Sequence, residues 1–151
     1  MTDEVRVRSL ALFFFFAALE ERLAQSAAIK ALQKCQKKMK RSNLPDEKWP
    51  SIIVHVTHAF FNKLKKSKLR SAAISCEAGW LLPGGVDLGP WMEFQKEAEL
   101  DEFLAVLWSK VLGFSDEAIS EGLGVTVGTV RHRLSRGLHT LGSVRRREMR
   151  R

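Results

Sequence analysis

The sequence predicts an all-α protein made of two small helical domains joined by a linker that contains glycine and proline. Apolar residues recur at helical spacing throughout the N-terminal half, and residues 71–92 are rich in glycine and proline. The C-terminal part contains two capped helices around a short turn. With 151 residues, 45% of them hydrophobic, the chain has room for one mid-sized domain or two small ones. We therefore expect domains at residues 1–70 and 93–143, a linker at 71–92 and a basic tail at 144–151.

Three helices are predicted in the first domain. The first spans residues 6–24, and the second spans residues 27–41 and is followed by a turn at residues 43–46. The third begins near Trp49, where the following proline suits a first helical turn, and carries a buried apolar stripe. These three helices would form one small domain.

The most apolar stretch, residues 9–19, contains four consecutive phenylalanines. It is shorter than the roughly 20 apolar residues that a spanning helix needs. The residues before it combine two acidic with two basic side chains, unlike the cationic start of a secretion signal. We therefore expect a buried helix here and not a membrane anchor.

A helix, a short turn and a second helix are predicted over residues 112–136. Ser115 and Thr126 stand where N-caps belong, because each precedes a segment of helical spacing and its hydroxyl can accept a bond from a free backbone N–H. Between the two helices, Gly122 and Gly124 are expected to supply the positive backbone angles of the turn. This arrangement predicts a helix-turn-helix, a motif that binds DNA.

The second helix of this motif has one apolar and one cationic face. Val130, Leu134, Leu138 and Leu141 recur at spacings of four, four and three, which predicts a buried face. The opposite face has groups suited to the major groove, with Arg133 near its edge. The candidate DNA-contacting residues on it are Gly128, Thr129, Arg131, His132, Ser135 and Arg136.

Residues 127–137 resemble the end of the promoter-binding domain in bacterial sigma factors of the extracytoplasmic-function group, and the similarity covers about residues 97–143. The resemblance implies a domain that recognises the upstream promoter element and contacts the flap of RNA polymerase. Arg131, His132, Ser135 and Arg136 would then face DNA, with Thr126 and Thr129 at the start of the helix.

The N-terminal half is loosely similar to the core-binding and promoter-melting domain of the same factors. Trp49 and the basic end of the third helix agree with that domain, which makes Lys63, Lys65, Lys66, Phe60 and Phe61 a candidate phosphate or melting surface. Aromatic residues at helical spacing are, however, more often residues of a core than surfaces that bind bases. The second helix departs from the family, because lysines stand where acidic residues would meet the polymerase. This candidate partner surface comprises Lys30, Gln33, Lys34 and Lys37.

Charged residues are clustered along the chain, whose net charge is +8. Basic runs in the second helix, at the end of the third helix and in the C-terminal tail could each neutralise phosphates or form a solvated surface. An acidic patch precedes the helix-turn-helix, and we expect it to face away from DNA and to be available to a protein partner. The patch consists of Glu93, Glu97, Glu99, Asp101 and Glu102.

The cysteines and the catalytic motifs limit the remaining functions. Cys35 and Cys76 have no neighbouring residues at metal-ligand spacing, which favours reduced thiols in the cytoplasm and no metal site. No phosphate-binding glycine loop, zinc-binding histidine pair or serine nucleophile motif occurs, so we expect neither an enzyme nor a cofactor.

Two functions remain open. The first is a sigma-type initiation factor that binds core RNA polymerase and double-stranded promoter DNA, with an anti-sigma or other regulatory protein as a further partner. The second is a stand-alone, sigma-derived DNA-binding regulator or interaction module that does not bind core polymerase. The lysines of the second helix distinguish the two, because a polymerase contact of the family type needs acidic or neutral groups there.

Overall fold

The first two helices pack against each other. The computed structural model describes residues 2–18, 21–66 and 88–150, with the side chains of residues 18, 21 and 64–66 excluded, and over this part the fold is all-α as predicted. Helix α1 spans Asp3–Ala18 and α2 spans Glu21–Arg41, so the predicted helix boundary at residues 24–27 is wrong. Helices α1 and α2 pack on each other along their lengths, so the ends of these helices depend on tertiary packing.

The phenylalanine run of α1 lies at the centre of the core, as expected of a buried helix. Phe13, Phe14 and Phe15 are fully buried, and α2 presents small alanines to them, which allows the two helices to pack closely. Helix α3 spans Trp49–Lys66 and packs on α2. None of the described helices is long and apolar enough to cross a membrane.

Four helices follow in the C-terminal part. They are α4 (Gly89–Glu97), α5 (Leu100–Val106), α6 (Asp116–Leu123) and α7 (Val127–Met149), and α5 continues as a π-helical stretch over Leu107–Val111. Most of the predicted 71–92 linker, including Cys76, lies outside the described residues. Helix α4 begins within the predicted linker. Its Trp91 donates a hydrogen bond to the carbonyl oxygen of Phe16 at 2.9 Å, so this residue packs on the N-terminal helices.

The N-terminal and C-terminal helices share one hydrophobic core. Trp108, fully buried, stacks its ring on Phe13 at 5.9 Å and donates its indole N–H to the hydroxyl of Thr57 at 3.1 Å. Helix α6 packs along α3, and the buried cluster continues from Leu10 to Val130. The helix-turn-helix is thus held against the N-terminal half in this structure.

Candidate nucleic-acid interface

Both helices of the helix-turn-helix begin at the predicted caps. The hydroxyl of Ser115 accepts a bond from the backbone N–H of Ala118 at 3.1 Å, and that of Thr126 accepts one from Thr129 at 3.1 Å. The turn between them depends on Gly124, which ends α6 with a φ of +69°. A glycine adopts this angle without steric cost, so the turn stays tight.

Gly122 does not supply a turn angle, which corrects the prediction made from the sequence. It lies inside α6, at the contact with α3. A Cβ at this position would lie 2.5 Å from the carbonyl oxygen of Ser51 and 2.7 Å from the Cβ of Val54. The absence of a side chain at Gly122 therefore lets the helix-turn-helix approach α3 closely.

The buried face of α7 differs from the predicted one at Leu138 and extends further along the helix, to the buried Val144. Val130 is fully buried and Leu134 and Leu141 are half-buried, but Leu138 is exposed. Gly137 takes its place, because a Cβ there would lie 2.6 Å from Cγ2 of Val106 and 2.7 Å from the carbonyl oxygen of Glu102. A glycine in the middle of a helix often marks a position of close packing, so the sequence already contained a signal for this contact.

The outward face of α7 lies opposite this stripe and is open to solvent. Gly128, His132 and Ser135 are exposed on it, and Thr129 is half-buried beside the cap. His139 is also exposed, seven residues after His132, and so extends the face by a turn beyond the predicted set. None of α1, α2 and α3 packs extensively on α7, so the docked arrangement leaves this face accessible to a duplex.

Two arginines lie at the edges of the outward face, and each forms an ion pair with an acidic side chain. Nε of Arg131 lies 3.1 Å from Oδ2 of Asp116. On the other flank, Nε of Arg136 lies 2.9 Å from Oε1 of Glu102. Both arginine side chains remain about two-thirds exposed, at 64% and 65%, so one side of each guanidinium is still available. The ion pairs orient the arginines at the two edges of the exposed face.

Three residues of the acidic patch pair with arginines of α7. Glu102 is buried against Arg136, and a carboxylate oxygen of Asp101 lies 3.7 Å from the guanidinium of Arg133. Glu97 pairs with Arg147 near the end of α7. These three residues neutralise one flank of α7, because the packing of α7 against α4 and α5 brings opposite charges together.

A comparison with known protein families gives a match to the part of the chain that contains the helix-turn-helix. Residues 100–141 match a family model described as sigma-70, region 4. The C-terminal domain is sigma-factor-like. The match spans α5, α6 and most of α7, including every predicted DNA-contacting residue. Neither a curated protein nor a solved structure matches the chain.

Outside the sigma-factor-like domain, the predicted surfaces lie on α2 and α3. Lys30, Gln33, Lys34 and Lys37 are exposed on α2. On α3, Lys63 is exposed and Phe61 is half-buried. Phe60 is also half-buried, and its ring packs on Phe14 at 5.7 Å, so it is partly a core residue. The side chains of Lys65 and Lys66 lie outside the described residues. The structure brings the two predicted surfaces together, because Nζ of Lys34 lies 4.5 Å from the centre of the Phe60 ring.

Proposed function

We propose that this protein is a sigma-like transcription initiation factor whose C-terminal domain recognises the upstream promoter element while the protein is bound to RNA polymerase. The observation that carries the proposal is the exposed face of α7. Within a segment that matches sigma-70 region 4, Gly128, His132 and Ser135 form an open face between Arg131 and Arg136.

This face has the chemistry that major-groove recognition requires. Gly128 permits close approach to the backbone, and imidazole and hydroxyl groups can bond to base edges. The capped start of α7 offers its helix dipole to a phosphate. The basic residues near the C-terminus would add phosphate contacts that increase affinity without adding sequence preference.

A second candidate function is favoured by the charge of α2. Its exposed surface has Lys30, Lys34 and Lys37 where a sigma factor of this group would present acidic or neutral groups to the polymerase. A protein with this surface could bind promoter DNA without binding core polymerase. In either case, we expect it to act in the cytoplasm.

Co-purification with core RNA polymerase tests the first function. The tagged chain would be expressed in its host, and the recovered complex would be assayed for transcription from native promoters. Stable association together with new initiation would support the sigma-like function. Duplex DNA binding without polymerase association would favour the second candidate, and the absence of both would contradict both proposals.

A double variant, H132A/S135A, makes the test specific to the exposed face of α7. Both side chains are exposed, so we expect the variant to fold and to retain its association with polymerase. It should fail to initiate at promoters that the unmodified chain uses. Unchanged promoter selection would contradict the assignment of this face.

A further inference from the structure

A groove between α2 and α3 collects basic side chains from both helices. Its volume is about 210 Å³. Val56, Ala59 and Phe60 form its apolar floor. Four residues that can carry positive charge stand around this floor: Lys34, Lys38, His55 and Lys63. Two of them, Lys34 and Lys63, come from surfaces that are distant in sequence and that helix packing brings together.

No acidic residue lies near the groove lysines in the sequence of either helix that forms it. Between residues 22 and 45 of the sequence, and again across the whole of α3, there is no aspartate or glutamate. None of the three groove lysines forms an ion pair with any of the described residues. Several acidic residues among those that the structure describes pair instead with arginines of α7.

The lysines also crowd one another. Loss of hydration and then the adjacent charge of Lys63 lower the pKa of Lys34. The face of the Phe60 ring compensates part of the charge of Lys34. A bound anion would relieve this repulsion, because it would place a counter-charge between groups that now face one another.

We propose that the α2–α3 groove binds a polyphosphate group. Its three lysines place a charge of +3 around about 210 Å³, which matches a compact ligand that carries three or four negative charges. Lysine ammonium groups bind phosphoryl oxygens as point charges and do not need the fixed geometry of an arginine. An acidic peptide would spread the same charge along an extended chain, whereas these cations converge on one small space.

Two sources offer this chemistry, namely the tail of a nucleoside triphosphate and inorganic polyphosphate. Isothermal titration of the full chain with ATP, tripolyphosphate and AMP, in EDTA and 50 mM salt, distinguishes them. Equal binding of ATP and tripolyphosphate, with AMP much weaker, would show that the phosphates alone are recognised. Tighter binding of ATP would show that the nucleoside also contacts the apolar floor.

The double variant K34A/K63A tests whether this groove is the site. The matched control is K30A/K37A, which removes two exposed lysines from the same helix surface without changing the groove. We expect the groove variant to lose at least about tenfold in affinity for tripolyphosphate and the control to lose less than about threefold. Equal losses in the two variants, or no binding to the unmodified chain, would overturn the proposal.

The proposal is independent of the proposed function of α7. The groove lies on α2 and α3, so K34A/K63A should still prefer a duplex that α7 recognises over a random duplex, even where the loss of Lys63 lowers affinity for both. Loss of tripolyphosphate binding with retained sequence preference is the expected result. If the variant loses tripolyphosphate binding and the preference for the specific duplex, and its circular dichroism still shows the folded protein, the groove belongs to the duplex-recognition surface and the polyphosphate site is overturned.

Discussion

Nε of Arg136 on α7 lies 2.9 Å from Oε1 of Glu102, a carboxylate on α5 that is only 10% exposed. A buried carboxylate needs such a partner, because an unpaired one would be costly to remove from water. The pair therefore fixes α7 on α5. It also holds the arginine at the edge of the face that we propose contacts DNA.

Glu102→Gln should lower the free energy of unfolding by about 1 kcal/mol, since an amide accepts a weaker bond from the guanidinium and the exposed side of Arg136 is screened by water. Urea denaturation measures this change. Glu99→Gln is the control, because Glu99 is exposed and caps α5 without a side-chain bond, so a change within about 0.5 kcal/mol is expected. Equal effects of the two substitutions would contradict a role for the pair.

Gly122→Ala should destabilise the protein by about 1 to 3 kcal/mol, because the new Cβ would lie 2.5 Å from the backbone oxygen of Ser51. Gly128→Ala is the matched control in an exposed part of α7, where the nearest atom to a new Cβ is Oγ1 of Thr126 at 3.8 Å. There we expect a stability gain of up to about 1 kcal/mol. Thermal or urea unfolding compares the two, and a neutral Gly122→Ala would show that the contact with α3 is looser than described.

Arg131→Ala and His132→Ala should each weaken binding to a specific duplex by about 1 to 3 kcal/mol, with a smaller loss on random duplexes. The specific duplex would be obtained by selection from a random library, and fluorescence anisotropy would measure the affinities. Deletion of residues 145–151 should instead lower affinity on both kinds of duplex to a similar extent. If the helix variants behave like the deletion, α7 does not provide the sequence preference.

Cys35 should be unreactive in the folded protein, because burial raises the pKa of its thiol to about 12. At pH 8 only about one thiol in ten thousand would then be ionised. A Cys76→Ser variant isolates Cys35, and a colorimetric disulfide reagent measures the rate of its modification. We expect slow labelling without denaturant and rapid labelling in 8 M urea. Rapid labelling without denaturant would contradict the burial of this side chain.

His58 should make the protein less stable as the pH falls. Loss of hydration lowers the pKa of His58, and the charges of His55 and Arg133 add to this effect while that of Asp101 opposes it. The unfolded chain therefore takes up a proton near its ordinary pKa, about 6.5, before the folded protein does. The free energy of unfolding should decrease from pH 7.5 to 5.5. His58→Gln should reduce this dependence, and His55→Gln, at an exposed position, should leave most of it in place.

The local features of the helix-turn-helix were predictable from the sequence. The caps at Ser115 and Thr126 and the turn at Gly124 are local features. Each depends on bonds between residues that are no more than about five positions apart, so local chemistry determines it. The all-α fold and the buried phenylalanine helix followed from periodicity and composition in the same way. The exposed side of α7 could be predicted from helical periodicity alone.

Tertiary structure decided the features that depend on residues distant in the chain. The end of α1 at Ala18 and the start of α2 at Glu21 were not predicted, because they depend on how these two helices pack. Gly122 and Gly137 lie where helices approach closely, whereas the sequence alone suggested a turn at Gly122 and made no prediction for Gly137. The pairing of Arg136 with Glu102, 34 residues away, likewise depends on how α5 and α7 pack. Periodicity identifies which side of a helix is apolar, but only the packing of the other helices determines which residues meet it.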